Sequence, residues 1–278
     1  MRADELYRAL RESLTPVAGE GAAYEARELL SALTGEPFPM LLASRSELSA
    51  ETVTAAENAI IRRKGGEPLA YILGFAYFYG LRFFVSPACL IPQADTEIVT
   101  EKAIAHLKKG ARFADICTGS GCIALSMLHE TGDTEAYAYD LSTDALAVAE
   151  NNAKALGLST RFHAIHADVF SADFLASDGM FDLIVSNPPY ICTDVIETLE
   201  SDVLAEPHMA LDGGKDGLDF YRRLLDVCPS HIKKGGVLLL EIGYDQREAL
   251  RVLCAERGLA CEFFRDFGGN DRVCCVHI

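Results

Sequence analysis

From residue 112 to the end of the chain, apolar strand-like runs alternate with helix-length segments. In order they are "RFADIC", a helix from about 121, "EAYAYD", "STDALAVAENNAKALGL", "RFHAIHA", "FDLIVS", a helix near 216–229, "GGVLLLEIG", a helix from 245, and two closing strands. An apolar strand with no polar face has to be covered on both sides, and a helix between successive strands is the connection that a parallel pair requires. The alternation therefore predicts an α/β fold: a doubly wound, mostly parallel, seven-stranded sheet with helices on both faces. Ser142 with Asp144 and Ala145 marks one helix start, and Gly157 its C′ stop.

Ahead of this region the pattern differs. "DELYRALRESL", "AAYEARELLSAL" and "SAETVTAAENAIIRRK" repeat apolar residues at three- and four-residue steps, which predicts a small helical domain. "FAYFYGLRFFVS" then brings aromatic and β-branched residues around a glycine, the pattern of a hairpin near residues 72–86. The expected partition is a helical domain over 1–71, a β-hairpin linker over 72–90 and a catalytic domain over 91–278.

Charge narrows the partners. The 278 residues carry a net −16; residues 1–85 hold 9 Lys and Arg against 11 Asp and Glu, leaving 16 basic and 30 acidic residues beyond. Such a chain lacks the broad basic surface that grips phosphate backbones, so no direct nucleic-acid partner is expected, and the acidic part favours a partner with basic segments. Nine cysteines are scattered without a C-x-x-C pair, which predicts reduced, buried thiols and neither a disulfide framework nor a zinc site. His163 and His166 differ in strand parity and face opposite sides, so no metal site is expected from them either. No apolar run approaches the roughly 20 residues that span a bilayer, and "MRADELYRALRES" lacks an apolar signal core. A cytoplasmic protein without a membrane partner is the expectation.

Two segments carry chemistry. In "DICTGSGCIAL", Gly119-Ser120-Gly121 with Ala124 matches G-x-G-x-x-G/A where a strand turns into a helix, and Asp140 ends the next strand about 20 residues later. Glycines admit a ligand to the backbone, and a carboxylate at that strand tip accepts two ribose hydroxyls. NAD(H) and S-adenosylmethionine both use such a turn, and the motif leaves the choice open. Asp168 and Val169 follow the third strand, where a carboxylate can accept from an adenine amino group and an apolar side chain can lie on the ring.

The second segment, "SNPPYI", leaves the buried strand "FDLIV" beside that turn. Pro188 and Pro189 have no N–H and fixed φ, so the segment is stiff and its carbonyls are not consumed by a continuing ladder. The Asn187 side-chain carbonyl and the Pro188 backbone carbonyl can together grip a planar –NH₂ while Tyr190 packs on its flat face. A glutamine amide and the exocyclic amine of adenine both fit such a clamp.

The chain resembles the release-factor glutamine methyltransferases over nearly its whole length. The resemblance is carried by "EPLAYILG", "LIPQADTE", "DICTGSGCIAL", "AENNAKALGL", "FDLIVSNPPYI", "EPHMALDGGKDGLDFYRRLL", "GGVLLLEIGYDQ" and "DFGGNDRV". It implies a class I S-adenosylmethionine-dependent fold and methylation of the side-chain amide nitrogen of the Gly-Gly-Gln glutamine in peptide-chain release factors. S-adenosylhomocysteine would be the product, and translation termination the process modulated. By the same resemblance Cys117, Thr118, Gly119, Ser120 and Gly121 cradle the cofactor, Asp140 binds its ribose, and Asp168 and Val169 border its adenine. Asn187, Pro188, Pro189 and Tyr190 form the glutamine site, with Asn187 also bordering the cofactor; Asn187, Pro188 and Tyr190 are the catalytic set. The helical region is then a recognition module for the release factor, and a monomer is expected. Two departures stand out. The family usually has Gly where Cys117 stands, and usually Arg-Pro-Glu where this chain has Gln93-Ala94-Asp95. The competing readings are an adenine-N6 or other amino-group methyltransferase, an NAD-dependent dehydrogenase, and a non-enzymatic release-factor-binding module.

Overall fold

The computed structural model describes residues 1–44 and 47–278. They divide into two compact units, one of residues 1–74 with 200–205 and one of residues 75–199 with 206–278.

The smaller unit holds α1 (Ala3–Ala18), α2 (Ala22–Thr34), α3 (Phe38–Ser44), α4 (Ala50–Lys64) and α5 (Leu69–Leu73). Its core is the apolar stripe that the helical spacing predicts, with Leu6, Leu10 and Leu14 of α1 against Ala26, Leu29 and Leu30 of α2. Residues 200–205 join this unit through a buried ion network. Arg63 forks onto both Asp202 carboxylate oxygens at 2.8 Å and onto Glu25 at 3.0 Å. A buried guanidinium needs such paired carboxylates, and no local pattern in 200–205 announces the pairing.

The larger unit opens with a hairpin, β1 (Phe75–Phe78) and β2 (Leu81–Phe84). Tyr79 and Gly80 both have positive φ, the conformation of a type I′ turn. Glu97 accepts the Tyr79 N–H at 2.6 Å, and buried Asn152 both donates to and accepts from the backbone of Phe84. The hairpin expected within 72–90 is present, and its strands count with the larger unit.

Beyond it run α6 (Thr96–His106), β3 (Arg112–Ile116), α7 (Cys122–Glu130), β4 (Glu135–Asp140), α8 (Thr143–Ala155), β5 (Phe162–His166) and β6 (Phe181–Ser186). Short helices α9 (Thr193–Ile196) and α10 (Ser201–Leu204) precede α11 (Asp219–Val227), β7 (Ile232–Glu241), α12 (Arg247–Glu256), β8 (Ala260–Arg265) and β9 (Asp271–His277). Seven strands form one sheet in the order β5-β4-β3-β6-β7-β9-β8, parallel except where β9 inserts antiparallel to both neighbours. Period-two alternation buries both faces: Leu183 and Val185 of β6 enter one core with Val99, Leu125 and Ala149, and Ile184 enters the other with Tyr221, Leu224 and Leu250. Ser142 caps α8 by accepting the Ala145 N–H, and Gly157 follows it with φ +71°, as expected. The nine cysteines are all free. Among the described residues no helix is long and apolar enough to cross a membrane.

The strand order reverses between β3 and β6, and this positions the site. A doubly wound sheet opens a crevice at the carboxyl ends of the two strands that flank the reversal. Ile116 pairs with Ser186 across them, so Cys117 and Asn187 leave the sheet side by side.

Candidate active site

The glycine turn follows β3. Asp115, buried at the end of that strand, accepts the Thr118 hydroxyl at 2.7 Å and the Ala124 N–H at 3.3 Å; burial pushes its carboxyl up to about 7. Gly119 and Gly121 both adopt positive φ, for different reasons. Around Gly119 a side chain would meet open space, and its N–H donates to Asp140 at 2.8 Å. At Gly121 a Cβ would stand 3.1 Å from Ala149 Cβ and from Leu125 Cδ1, so glycine there lets α7 pack on α8. Cys117 takes φ +60°, a left-handed backbone that glycine accepts without strain.

Asp140 closes β4 with both oxygens engaged: one accepts Gly119 N–H, the other Ser142 N–H at 2.9 Å. Burial raises its carboxyl above the ordinary carboxylate range, and the backbone donors of Ser142, Gly119 and Leu141 work against that rise. Asp168 lies two residues past β5 and accepts the Phe170 N–H at 2.8 Å. Arg223 of α11 donates to the Val169 carbonyl at 2.7 Å, which holds this corner down.

The segment after β6 is held by other means. The Asn187 amide nitrogen donates to Thr96 Oγ1 at 3.3 Å, and the Tyr190 hydroxyl approaches Glu241 at 3.5 Å. Gln246 donates to the Tyr190 carbonyl at 3.0 Å, while Ile191 and residues 211–213 exchange backbone hydrogen bonds. At Gly213 a Cβ would fall 2.7 Å from Tyr190 Cα, and at Gly217 2.4 Å from the Tyr190 oxygen. Gly213 and Gly217 of "DGGKDG" are therefore obligatory for the close approach that backs the Pro-Pro-Tyr run.

A cavity of about 390 Å³ opens between the two segments. Cys117, Thr118, Gly119, Ser120, Asp140, Asp168, Val169, Asn187 and Pro189 line it; Gly121, Pro188 and Tyr190 are not on its wall. Gln93 lines it too, and so do Phe170, Phe174, His208 and Phe220, which no motif marks. Glu206, from the segment that carries His208, accepts the Ile91 N–H at 2.7 Å and so ties two stretches of the wall together. Phe170 and Phe220, both on the wall, meet edge to face with centroids 5.0 Å apart and give it an apolar surface.

The wall's charge separates the two nucleoside cofactors that the glycine motif leaves open. Three aspartates, Asp140, Asp168 and Asp212, face the cavity, and among the described lining residues none is Lys or Arg. That set of acceptors fits a sulfonium cation and a ribose better than the pyrophosphate of a dinucleotide. The buried Ser120 hydroxyl, on the wall and without a hydrogen-bond partner in the structure, is a further polar atom for a bound ligand to satisfy.

Similarity to known proteins decides the family. A model described as the PrmC N-terminal domain matches residues 5–74, and one described as the methyltransferase small domain matches residues 93–214. The release factor glutamine methyltransferase of Moorella thermoacetica is 40% identical over 277 residues, covering 96% of each chain. The chain belongs to the release factor glutamine methyltransferases. A second member, from Neisseria gonorrhoeae, is 40% identical over 251 residues, 90% of this chain and 91% of its own. A methyltransferase structure from Pyrococcus furiosus superposes with a TM-score of 0.53 at 19% identity, covering 79% of this chain and 95% of that one, a likeness of fold. The dehydrogenase and non-enzymatic readings fall with the family assignment, since this is a methyltransferase.

Asp95, just before α6, receives Arg272 of β9 at 2.9 Å, and Arg272 also pairs with Asp266 at 3.2 Å. A buried cation thus stands behind the Gln93-Ala94-Asp95 stretch, supplied from the "DFGGNDRV" end of the chain.

Proposed function

We propose that this release factor glutamine methyltransferase binds S-adenosylmethionine along the glycine turn and transfers its methyl group to the side-chain amide nitrogen of the Gly-Gly-Gln glutamine of a peptide-chain release factor. The observation that carries the reading is the Ile116–Ser186 register, which brings a nucleoside-binding turn and an amide-bearing Asn187 onto one cavity wall.

The donor fits the residues present: Gly119 and Ser120 offer backbone and hydroxyl contacts, Asp140 accepts ribose hydroxyls, and Asp168 with Val169 borders the adenine. Bound there, S-adenosylmethionine supplies an electrophilic methyl on a positively charged sulfur. The remaining work belongs to the protein. An amide nitrogen is a weak nucleophile because its lone pair is delocalised into the carbonyl, so it must be aligned and its developing positive charge stabilised. Asn187 Oδ1 and the Pro188 carbonyl act as the two acceptors of the glutamine –NH₂. Tyr190, braced by Gln246 and the Gly213 and Gly217 backbone, keeps the Pro-Pro run in register behind them. The nitrogen would gain the methyl group as the sulfur–methyl bond breaks, S-adenosylhomocysteine would leave as the neutral thioether, and the nitrogen's proton would pass to solvent.

We assign residues 1–71 to recognition of the release factor and take the protein to act as a monomer. The acidic balance of the larger part favours a protein substrate over a nucleic acid. Incubation with methyl-labelled S-adenosylmethionine and a release factor or DNA, followed by mass spectrometry of the modified residue, tests the whole reading. Label on the glutamine side chain is expected; label on a DNA base and none on the protein contradicts it. Undiminished methylation by a chain lacking residues 1–70 contradicts the recognition role.

A further inference from the structure

An asparagine side chain can show the cavity its carbonyl or its amino group, and only the carbonyl can hold an –NH₂ donor. In the structure Asn187 Nδ2 is turned to the Thr96 hydroxyl, 3.3 Å away, which leaves Oδ1 for the substrate. Thr96 can accept that bond only while its own single proton points elsewhere. The group placed to take it is Glu241, the last residue of β7. Its side chain is 2% exposed, the Thr96 hydroxyl interacts with it, and one carboxylate oxygen, Oε2, is buried without a hydrogen-bond partner. An orphaned buried acceptor is unfavourable, more so when charged, so directing the Thr96 O–H onto the carboxylate is favoured.

We infer that Glu241 is a positioning residue: by drawing the Thr96 proton it makes Thr96 an acceptor, which fixes the Asn187 amide with its carbonyl toward the glutamine. The inference deepens the proposed function and rests on its reading of Asn187. Several groups face Glu241. Tyr190 OH lies 3.5 Å from Oε1, Arg272 and Asp95 flank the carboxyl from β9 and the start of α6, Asp266 shares Arg272, and Tyr221 of α11 donates to the Glu241 backbone carbonyl at 2.9 Å. Burial raises the carboxyl to about 7, Thr96 and Arg272 oppose the rise, and Asp95 adds to it. The acceptor form is the carboxylate, so positioning weakens as pH falls through that value. Stability runs the other way. The folded-state value lies above the ordinary 4.5, so this group's contribution to stability is full below about 4.5 and is lost as pH rises through about 7.

The test uses the full chain with S-adenosylmethionine and a release factor, reading kcat and both KM values between about pH 6 and about pH 8.5. Thr96→Val, close to isosteric, is expected to lower kcat about 10-fold or more with cofactor affinity within about two-fold, and Thr96→Ser to recover the lost rate. The wild type is expected to lose kcat as pH falls through about 7, and Glu241→Gln to have a lower kcat without that acid limb. A Thr96→Val enzyme as fast as wild type, or a Glu241→Gln enzyme that keeps the acid limb, overturns the inference. Should Thr96→Val fail to fold, the Glu241→Gln profile decides alone. Full activity in Asn187→Ala would overturn the underlying function instead, whereas an inactive Asn187→Ala beside a fully active Thr96→Val overturns only the role of Glu241.

Discussion

The glycine turn after β3 and the Asn-Pro-Pro-Tyr segment after β6 leave neighbouring strands at the same level, yet the first is shaped by glycines and held by carboxylates on its backbone N–H groups, while the polar side chains of the second are held by other side chains. At the turn, Asp140 is held by the N–H groups of Gly119 and Ser142, and the loop shape follows from glycine φ values. At the other segment the polar contacts run from Asn187 to Thr96 and from Tyr190 to Glu241, with Gln246 bracing the tyrosine carbonyl. The difference matches the tasks proposed for them. A cofactor site needs a cradle that any backbone of the right shape can provide, whereas an amide clamp needs one particular atom turned inward.

The comparison can be broken first at Asp140. Asp140→Ala would strand two backbone donors and remove the ribose acceptor, and cofactor affinity is expected to fall about 100-fold, about 2.7 kcal/mol. Isothermal titration with S-adenosylhomocysteine reads it, and a change under about three-fold would mean that the turn does not depend on this carboxylate. Next in size is Gly121→Ala. A Cβ 3.1 Å from Ala149 and Leu125, on a backbone at φ +78°, is expected to lower unfolding stability by about 2 kcal/mol in urea melts. An unchanged midpoint would show that α7 and α8 have room to separate. The smallest effect sharpens the comparison: Cys117→Gly relieves a left-handed residue worth about 1–2 kcal/mol of strain and gives back about 0.4–1 kcal/mol through the unfolded chain. A net gain of about 0.5 kcal/mol is expected, and a loss of stability would show that the Cys117 side chain contributes more by packing than its backbone costs.

The same division explains what the amino-acid sequence discloses. The order of strands and helices, the hairpin and the glycine turn follow from local patterns: period-two and three-to-four spacing, Tyr79-Gly80, Gly119 and Gly121. The partners of Asn187 and Tyr190 do not. Thr96 stands 91 residues from Asn187, and Glu241 stands 51 from Tyr190, inside a strand whose apolar run reads as core. The attachment of residues 200–205 to the helical unit is similarly hidden, because Asp202 meets Arg63 across 139 residues. One signal was readable: the clustered glycines of "DGGKDG" mark a close backbone approach, and Gly213 and Gly217 make it against Tyr190.

The claim at the centre of this account is that Asn187 serves methyl transfer rather than cofactor binding. Single-turnover transfer to a release factor by Asn187→Ala, measured beside its affinity for S-adenosylhomocysteine, addresses it directly. A loss of about 1,000-fold or more in rate with affinity within about three-fold is predicted. Substantial turnover, or a collapse of cofactor binding that accounts for the lost rate, would contradict it.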